Sequence, residues 1–227
     1  MQIVLATSNP HKVDELRAIF AEMGLLEVEL LGLADAAPGT LREPEETGAT
    51  FEENATIKAV AYATQLGRTC LADDSGLEID ALGGKPGVIS SHYCSDGREM
   101  GMTRVQRDGA NNRRVLRELD GVPEGSRTAR FVCVMCLAEP SGRVLAMTRG
   151  TFEGRIGLPG DVPRGEHGFG YDPLFLLPAP DPRCSAELSP AEKNRRSHRG
   201  EAARRMGEHL RGLTSRDGNR ALLPGGG

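Results

Sequence analysis

The 227-residue chain is short of several features that would assign it to a broad class at once. No apolar run approaches the roughly 18 or more residues of a membrane span, and the opening Met-Gln-Ile-Val-Leu lacks the basic flank and length of a secretory signal. A cytoplasmic location with no membrane partner is the expectation. Positive charge is not in excess: 28 Lys and Arg stand against 32 Asp and Glu, a net charge of −4. No polynucleotide partner is therefore expected, and any phosphate binding has to be local. The cysteines, Cys70, Cys94, Cys133, Cys136 and Cys184, are five, an odd number in a chain large enough to fold without staples, which points to reduced thiols. Cys133 and Cys136 have the spacing of a zinc or redox pair. They lie inside the apolar run 131–137, however, where residues three apart on a strand face opposite ways, so both are expected to pack in a core. His11, His92, His167 and His209 do not combine with cysteines at metal-binding spacing, so zinc is not indicated. The spacing of glycine and Lys-Ser/Thr that makes a P-loop is missing too.

What is there reads as an ordinary globular chain, 38% apolar and 26% charged, long enough for one large or two closely packed domains. Residues 2–6 form an apolar run stopped by Thr7, Ser8, Asn9 and Pro10. Val13, Leu16, Ile19, Phe20 and Met23 then recur at helical spacing up to Gly24, so strand, polar turn and helix open an α/β fold. The segment 33–48, with its prolines and Glu43, Glu45 and Glu46, is expected to be a surface loop. Thr50 and Glu53 make a capping box that predicts a helix over 51–66. A short strand over 69–72 is expected to stop at Asp73, Asp74, Ser75 and Gly76, which would put carboxylates at a strand end. Residues 94–112 are polar and glycine-punctuated and read as a long mobile connection, closed by a short helix over 113–119. Runs at 128–138 and 144–152 predict a hairpin, and 174–177 another short strand. Ser189, Pro190 and Glu192 announce a further helix. A last helix is expected over 199–213, with a frayed tail over 214–227.

Four segments carry candidate chemistry. Thr7, Ser8, Asn9, Pro10, His11 and Lys12 join a strand to a helix, where hydroxyls, backbone N–H groups and an ammonium converge on an anion or simply form a capped turn. Asp73 and Asp74, together with Glu45 and Glu46, offer hard oxygens to magnesium or a base to water; the bland alternative is solvated turn acids. Ser75 and Gly76 permit close approach to phosphate. Phe169 and Tyr171, set among glycines, either stack a flat base or fill core. Lys193, Ser197, His198 and Arg199 suit a phosphate or a purine carbonyl, or else form a solvated basic face.

Taken in order, these segments resemble the inosine triphosphate pyrophosphatase family. The anchors are the turn from Thr7 to Lys12, Glu45-Glu46-Thr47-Gly48 with 51–58, then 72–76, 169–172, and Lys193 with 197–200. The resemblance implies an α/β fold in which an elongated mixed sheet with flanking helices builds two lobes around a central substrate cleft, a single domain over 1–213. It implies hydrolysis of the non-standard purine nucleotides ITP, dITP and XTP to monophosphate and pyrophosphate, with Mg²⁺ as cofactor and a homodimeric state. Asp74 then matches the proton acceptor and magnesium-linked residue, assisted at the metal by Glu45 or Glu46. Thr7, Ser8, Asn9, Pro10, His11, Lys12 and Lys58 would hold the triphosphate. Ser75, Phe169, Gly170, Tyr171, Asp172, Lys193, His198 and Arg199 match substrate contacts. The chain departs from the pattern at Ser8, at Ser91-His92-Tyr93, and in a longer segment over 94–112, which bears on the cleft rim and dimer contacts. Two other readings stay open from the residues alone: a nucleotide sensor without turnover, and a thiol or zinc protein built on Cys133 and Cys136.

Overall fold

The computed structural model describes residues 1–7, 10–36 and 41–220, with the side chains at 10, 11 and 214–220 outside that description. The elements are β1 (Gln2–Leu5), α1 (Pro10–Glu22), β2 (Glu29–Gly32), α2 (Leu33–Ala36), α3 (Phe51–Leu66), β3 (Cys70–Ile79), α4 (Arg104–Glu118), β4 (Thr128–Ala138), β5 (Val144–Ile156), β6 (Phe175–Leu176), α5 (Pro190–Arg196) and α6 (His198–Arg220). A 3₁₀ segment, Gly87–Ser95, lies between β3 and α4. The strands form one mixed sheet in the order β2-β1-β3-β4-β5-β6. β1 pairs parallel with β2 and β3, and parallel neighbours need crossovers, which α1 and α3 supply. From β3 to β6 all pairings are antiparallel.

Strand alternation sorts the side chains into layers. Leu71, Cys133 and Met135 face α1 and α6, where they meet Val13, Leu16, Ala202 and Met206. Cys70, Ala72, Val134 and Cys136 face the other way, against Phe51, Ala55, Ala59 and Tyr62 of α3. Further along the same strands, Leu77, Ile79, Phe131 and Phe152 enter a separate core with Val115, Leu119, Leu174 and Phe175. Each such side chain contributes about 1.5–3 kcal/mol by leaving water. The sheet thus carries two lobes, one with helices on both faces and one built around α4 and β6. Between them β3 is polar, at Asp73, Asp74 and Ser75.

The helix over 51–66 and the strand over 128–138 stand as expected, with the Thr50–Glu53 capping box closed in both directions. Cys133 and Cys136 are buried free thiols on opposite faces of β4, as expected, and burial pushes the Cys133 thiol up to about 12. Four expectations need correction. The acidic stretch does not stop β3: Asp73, Asp74, Ser75 and Gly76 pair in register with Met135, Val134, Cys133 and Val132, so the ladder to β4 overrides their turn preference. The expected surface loop over 33–48 begins with a helical turn, α2, and the strand before it, β2, was not anticipated. The mobile connection over 94–112 is corrected to the end of the 3₁₀ segment and most of α4. Thr103 and Gln106 close a second capping box there, at 3.3 and 3.0 Å. Buried Asn111 stitches α4 to the 3₁₀ segment, accepting from Cys94 N at 2.7 Å and donating to Ser90 O and Ser91 O. Finally α6 continues past 213 to Arg220, so the expected frayed tail is helical over 214–220, and 221–227 lie outside the described residues.

Gly76 shows why this packing is sequence-specific. A Cβ at that position would lie 2.5 Å from Ser90 Oγ and 2.6 Å from Gly87 O. Only glycine lets the 3₁₀ segment sit directly on the polar stretch of β3, and that contact forms one wall of the cleft.

Candidate active site

The cleft opens where the two lobes meet over β3. One cavity there, of about 380 Å³, is lined by Lys12, Lys58, Asp73, Asp74, Phe169, Lys193, His198 and Arg199 among others. That volume lies within the roughly 300–1,000 Å³ of small-molecule sites. A second cavity, of about 400 Å³, shares Thr7, Lys12, Glu46, Lys58 and Asp73 with it and extends past α1 and α3.

Asp73 and Asp74 are neighbours on a strand and point to opposite faces, which gives them different surroundings. Asp73 faces α1 and α6. Both of its oxygens accept from Lys12 Nζ at 2.9 Å, and Arg199 Nη2 lies 3.5 Å from Oδ2. Ser75 Oγ donates to the same oxygen at 3.1 Å. Burial works to raise its pKa, but Lys12, Arg199 and Lys58 outweigh burial and hold Asp73 far below the usual carboxylate range. The Arg199 guanidinium is itself buried, with Glu15 3.5 Å away on its other side.

Asp74 faces α3. Its Oδ1 accepts from Ser75 N at 3.1 Å and from Lys58 Nζ at 3.4 Å, while Lys58 also reaches Glu46 Oε2 at 3.2 Å. Burial raises the Asp74 pKa above the ordinary value; Lys58 and the nearby Asn54 side chain oppose that shift, and Glu46 and Asp73 reinforce it. Burial tends to lower Lys58, yet Asp74, Asp73 and Glu46 prevail and raise it. Asp74 Oδ2 is buried with no hydrogen-bond partner among the described residues. A buried carboxylate oxygen left unpaired is costly, so this atom is available to a ligand.

On the opposite side, Lys193 Nζ lies 2.5 Å from Asp172 Oδ2, which also accepts from Phe169 N at 2.8 Å, and Ser185 Oγ donates to Asp172 Oδ1 at 2.7 Å. Gly168 has a left-handed φ of +80°, and a Cβ there would lie 2.2 Å from Asp172 Oδ2. Glycine is required for this turn to wrap the carboxylate. The turn leaves Phe169 46% exposed. His198 is buried, its ring stacked on Phe131 at 5.2 Å. Burial, then Arg199 and Lys193, depress its pKa well below the usual value, so the ring is neutral near pH 7. Its Nδ1 has no partner among the described residues.

The structure therefore brings together Thr7, Lys12, Glu46, Lys58, Asp74, Ser75, Phe169, Gly170, Tyr171, Asp172, Lys193, His198 and Arg199 at one cleft. Glu45 is exposed and lines neither cavity. Tyr171 divides the aromatic pair: its ring is buried, its hydroxyl donates to Ser90 O at 2.7 Å, and it belongs to the core of the second lobe. Ser8 and Asn9 lie outside the described residues, as do the side chains of Pro10 and His11. The sequence reading missed Arg104, Arg107 and Asp108, which line the cleft from α4. Thr103 followed by Gln106 was the signal for that helix.

Among the described residues no three His, Cys, Asp or Glu side chains converge as a ready-made metal cage. The donor set that exists, the unpaired Asp74 oxygen with Glu46 close by on Lys58, is hard and sparse. It suits an ion that keeps several waters and shares substrate phosphate oxygens, as magnesium does, better than zinc or calcium. Around it Lys12, Lys58, Lys193 and Arg199 supply fixed positive charge at one cleft of a chain whose net charge is negative.

Known proteins match the chain over most of its length. The family model described as Ham1 family matches residues 3–209. A dITP/XTP pyrophosphatase of Nitratidesulfovibrio vulgaris is 51% identical over 208 residues, covering 90% of this chain and 93% of the relative. One from an Exiguobacterium species is 47% identical over 206 residues, covering 91% and 95%. The solved HAM1 protein of Coxiella burnetii superposes with a TM-score of 0.79 at 38% identity, over 92% of this chain and 98% of that one.

Proposed function

Because the chain belongs to the Ham1 family, we propose that it hydrolyses non-standard purine nucleoside triphosphates, ITP, dITP and XTP, to the nucleoside monophosphate and pyrophosphate. Relatives named dITP/XTP pyrophosphatase, covered over almost their whole length, support the substrate class. The observation that carries the reading is the division of labour between Asp73 and Asp74. One is locked to Lys12 and Arg199; the other keeps a bare oxygen in the same cleft.

The chemistry follows from that arrangement. Lys12 and Lys58 hold the phosphate end, where their charge offsets the negative charge that builds up on the departing pyrophosphate. Magnesium bound at Asp74 and Glu46 would polarise the phosphate oxygens and lower the pKa of a coordinated water. Asp74, whose unpaired Oδ2 lies in the cleft, is placed to take the proton of the water that attacks the α phosphorus. Proton transfer by such a positioned group contributes about 10²–10⁴-fold. No covalent intermediate on the protein is needed.

At the other end the partly exposed Phe169 offers its ring to the purine. A 6-keto purine presents an acceptor where adenine presents an amino donor. Lys193, whose ammonium lies over the Phe169 ring, is a donor, so a 6-keto purine can be satisfied there while adenine sets donor against donor. The remaining elements of the reading are a cytoplasmic location and a homodimer. Among the described residues no helix is long and apolar enough to cross a membrane.

A panel of ITP, XTP, dITP, ATP and GTP with magnesium, followed by pyrophosphate release, tests the proposal. The expected order puts ITP, XTP and dITP far above ATP. Equal rates on ATP and ITP would refute the specificity, and release of orthophosphate in place of pyrophosphate would refute the cleavage site. Sizing in solution tests the dimer.

A further inference from the structure

One face of α4 is turned toward the loop that carries Phe169. Arg104, Asp108 and Asn112 are spaced four residues apart, so they line up along the helix. Asp108 Oδ2 accepts from Gly170 N at 3.0 Å, and Asn112 Nδ2 donates to Gly170 O at 3.1 Å. Both polar groups of one residue are thus held by one helix, and α4 is fixed in register with the turn beside Phe169. The guanidinium of Arg104 then lies over the Phe169 ring, 4.3 Å from its centroid. The Lys193 ammonium is 5.2 Å from the same centroid.

Arg104 is not locked in that position. Its side chain is 50% exposed and its ion pair with Asp108 is long, at 3.9 Å. A base needs about 3.4 Å of separation on each side, which is the spacing of stacked bases, so ring and guanidinium have to stand about 6.8 Å apart and the guanidinium, now at 4.3 Å, has to lift by roughly 2.5 Å to admit one. A long arginine stem anchored at the start of α4 can do this without moving the helix. Asp108 and Asn112 keep the distance between helix and loop constant while it does.

We infer that Arg104 is a substrate-binding residue: it lifts off Phe169 to admit the purine and closes on the outer face of the base, which is then held between ring and guanidinium. Asp108 is a positioning residue, holding Gly170 at 3.0 Å while its charge lies 3.9 Å from Arg104. The inference rests on the proposed function, since it takes Phe169 to be the platform for the base. It adds a group from α4, a helix outside the segments that carry the family resemblance. Planar guanidinium is suited to the task because it stacks on π faces, which an ammonium does less well.

The test measures affinity for two ligands that differ only in having a base. ITP affinity is read as KM from pyrophosphate release, and as the binding of an α,β-imido analogue of ITP by titration calorimetry. Inorganic tripolyphosphate, which carries the phosphates alone, is titrated in parallel. Arg104→Ala should weaken analogue binding and raise the KM for ITP about tenfold, the effect of about 1.4 kcal/mol, with kcat within about twofold and tripolyphosphate affinity unchanged. Arg104→Lys should recover only part of the loss, and Asp108→Asn should raise KM without altering tripolyphosphate binding. Unchanged ITP affinity in Arg104→Ala overturns the inference and leaves the proposed function standing. Equal weakening toward ITP and tripolyphosphate overturns it as well, because Arg104 would then serve phosphate or the fold. A wild-type protein that neither binds the analogue nor releases pyrophosphate overturns the proposed function first and this inference with it.

Discussion

Two adjacent carboxylates acquire opposite characters from the alternation of one strand. Asp73 gains two cations and a serine hydroxyl, whereas Asp74 gains one shared lysine and keeps an oxygen unpaired. The difference has a consequence for stability. Removing the charge from Asp73 leaves Lys12 and Arg199 facing each other without it, and breaking a buried pair in this way costs about 3–5 kcal/mol. Asp73→Asn should therefore lose about that much in urea denaturation at pH 7. The folded pKa of Asp73 lies below its unfolded value of about 3.9. Its contribution is thus complete above the unfolded pKa and is lost as the pH falls from there toward the folded value. Wild-type stability should drop steeply below about pH 4, and Asp73→Asn should show a shallower drop over the same range. Parallel pH profiles for the two proteins would remove Asp73 from the account.

At the scale of elements, α4 is the helix on which the cleft wall of the second lobe depends. Gly109 sits in its interior with no left-handed φ, and an added Cβ would meet only the mobile end of Arg113 at 3.4 Å. Gly109→Ala should raise stability by about 0.5–1 kcal/mol, seen as a higher denaturation midpoint with an unchanged slope. A loss would mean that α4 does not hold its helical form in solution. The same helix shows where sequence reading reached its limit. α3 and β4 were legible because a capping box and a long apolar run act locally. α4 was hidden by a glycine and many arginines; its helix is held by Asn111 against Ser90, Ser91 and Cys94, and by Val115 in a core assembled from distant strands. The acidic stretch of β3 misled for the related reason that β4 imposes its ladder from about sixty residues away. Most of the cleft residues were nonetheless recognisable, since chemistry requires their side chains whatever element carries them. Arg104, Arg107 and Asp108 escaped because they came with the unrecognised helix, and the choice between stacking a base and filling core stayed open for Tyr171 because nothing in its neighbours shows that its ring turns inward.

Across the whole molecule, β3, β4 and β5 belong to both lobes, so the cleft between them is framed by continuous hydrogen-bonded strands and not by a flexible linker. Thermal unfolding followed by circular dichroism and by near-ultraviolet absorbance should accordingly give one coincident transition; two separated transitions would indicate lobes that fold independently. The shared sheet also frames the cleft that Lys12 and Lys58 of one lobe and Phe169 of the other line together with Asp74. The most direct test of that arrangement is the Asp74→Asn variant assayed with ITP and magnesium, with turnover and ITP binding measured on the same preparation. The account predicts a fall in kcat of about 10²–10⁴-fold with ITP still bound; wild-type turnover in Asp74→Asn would contradict it.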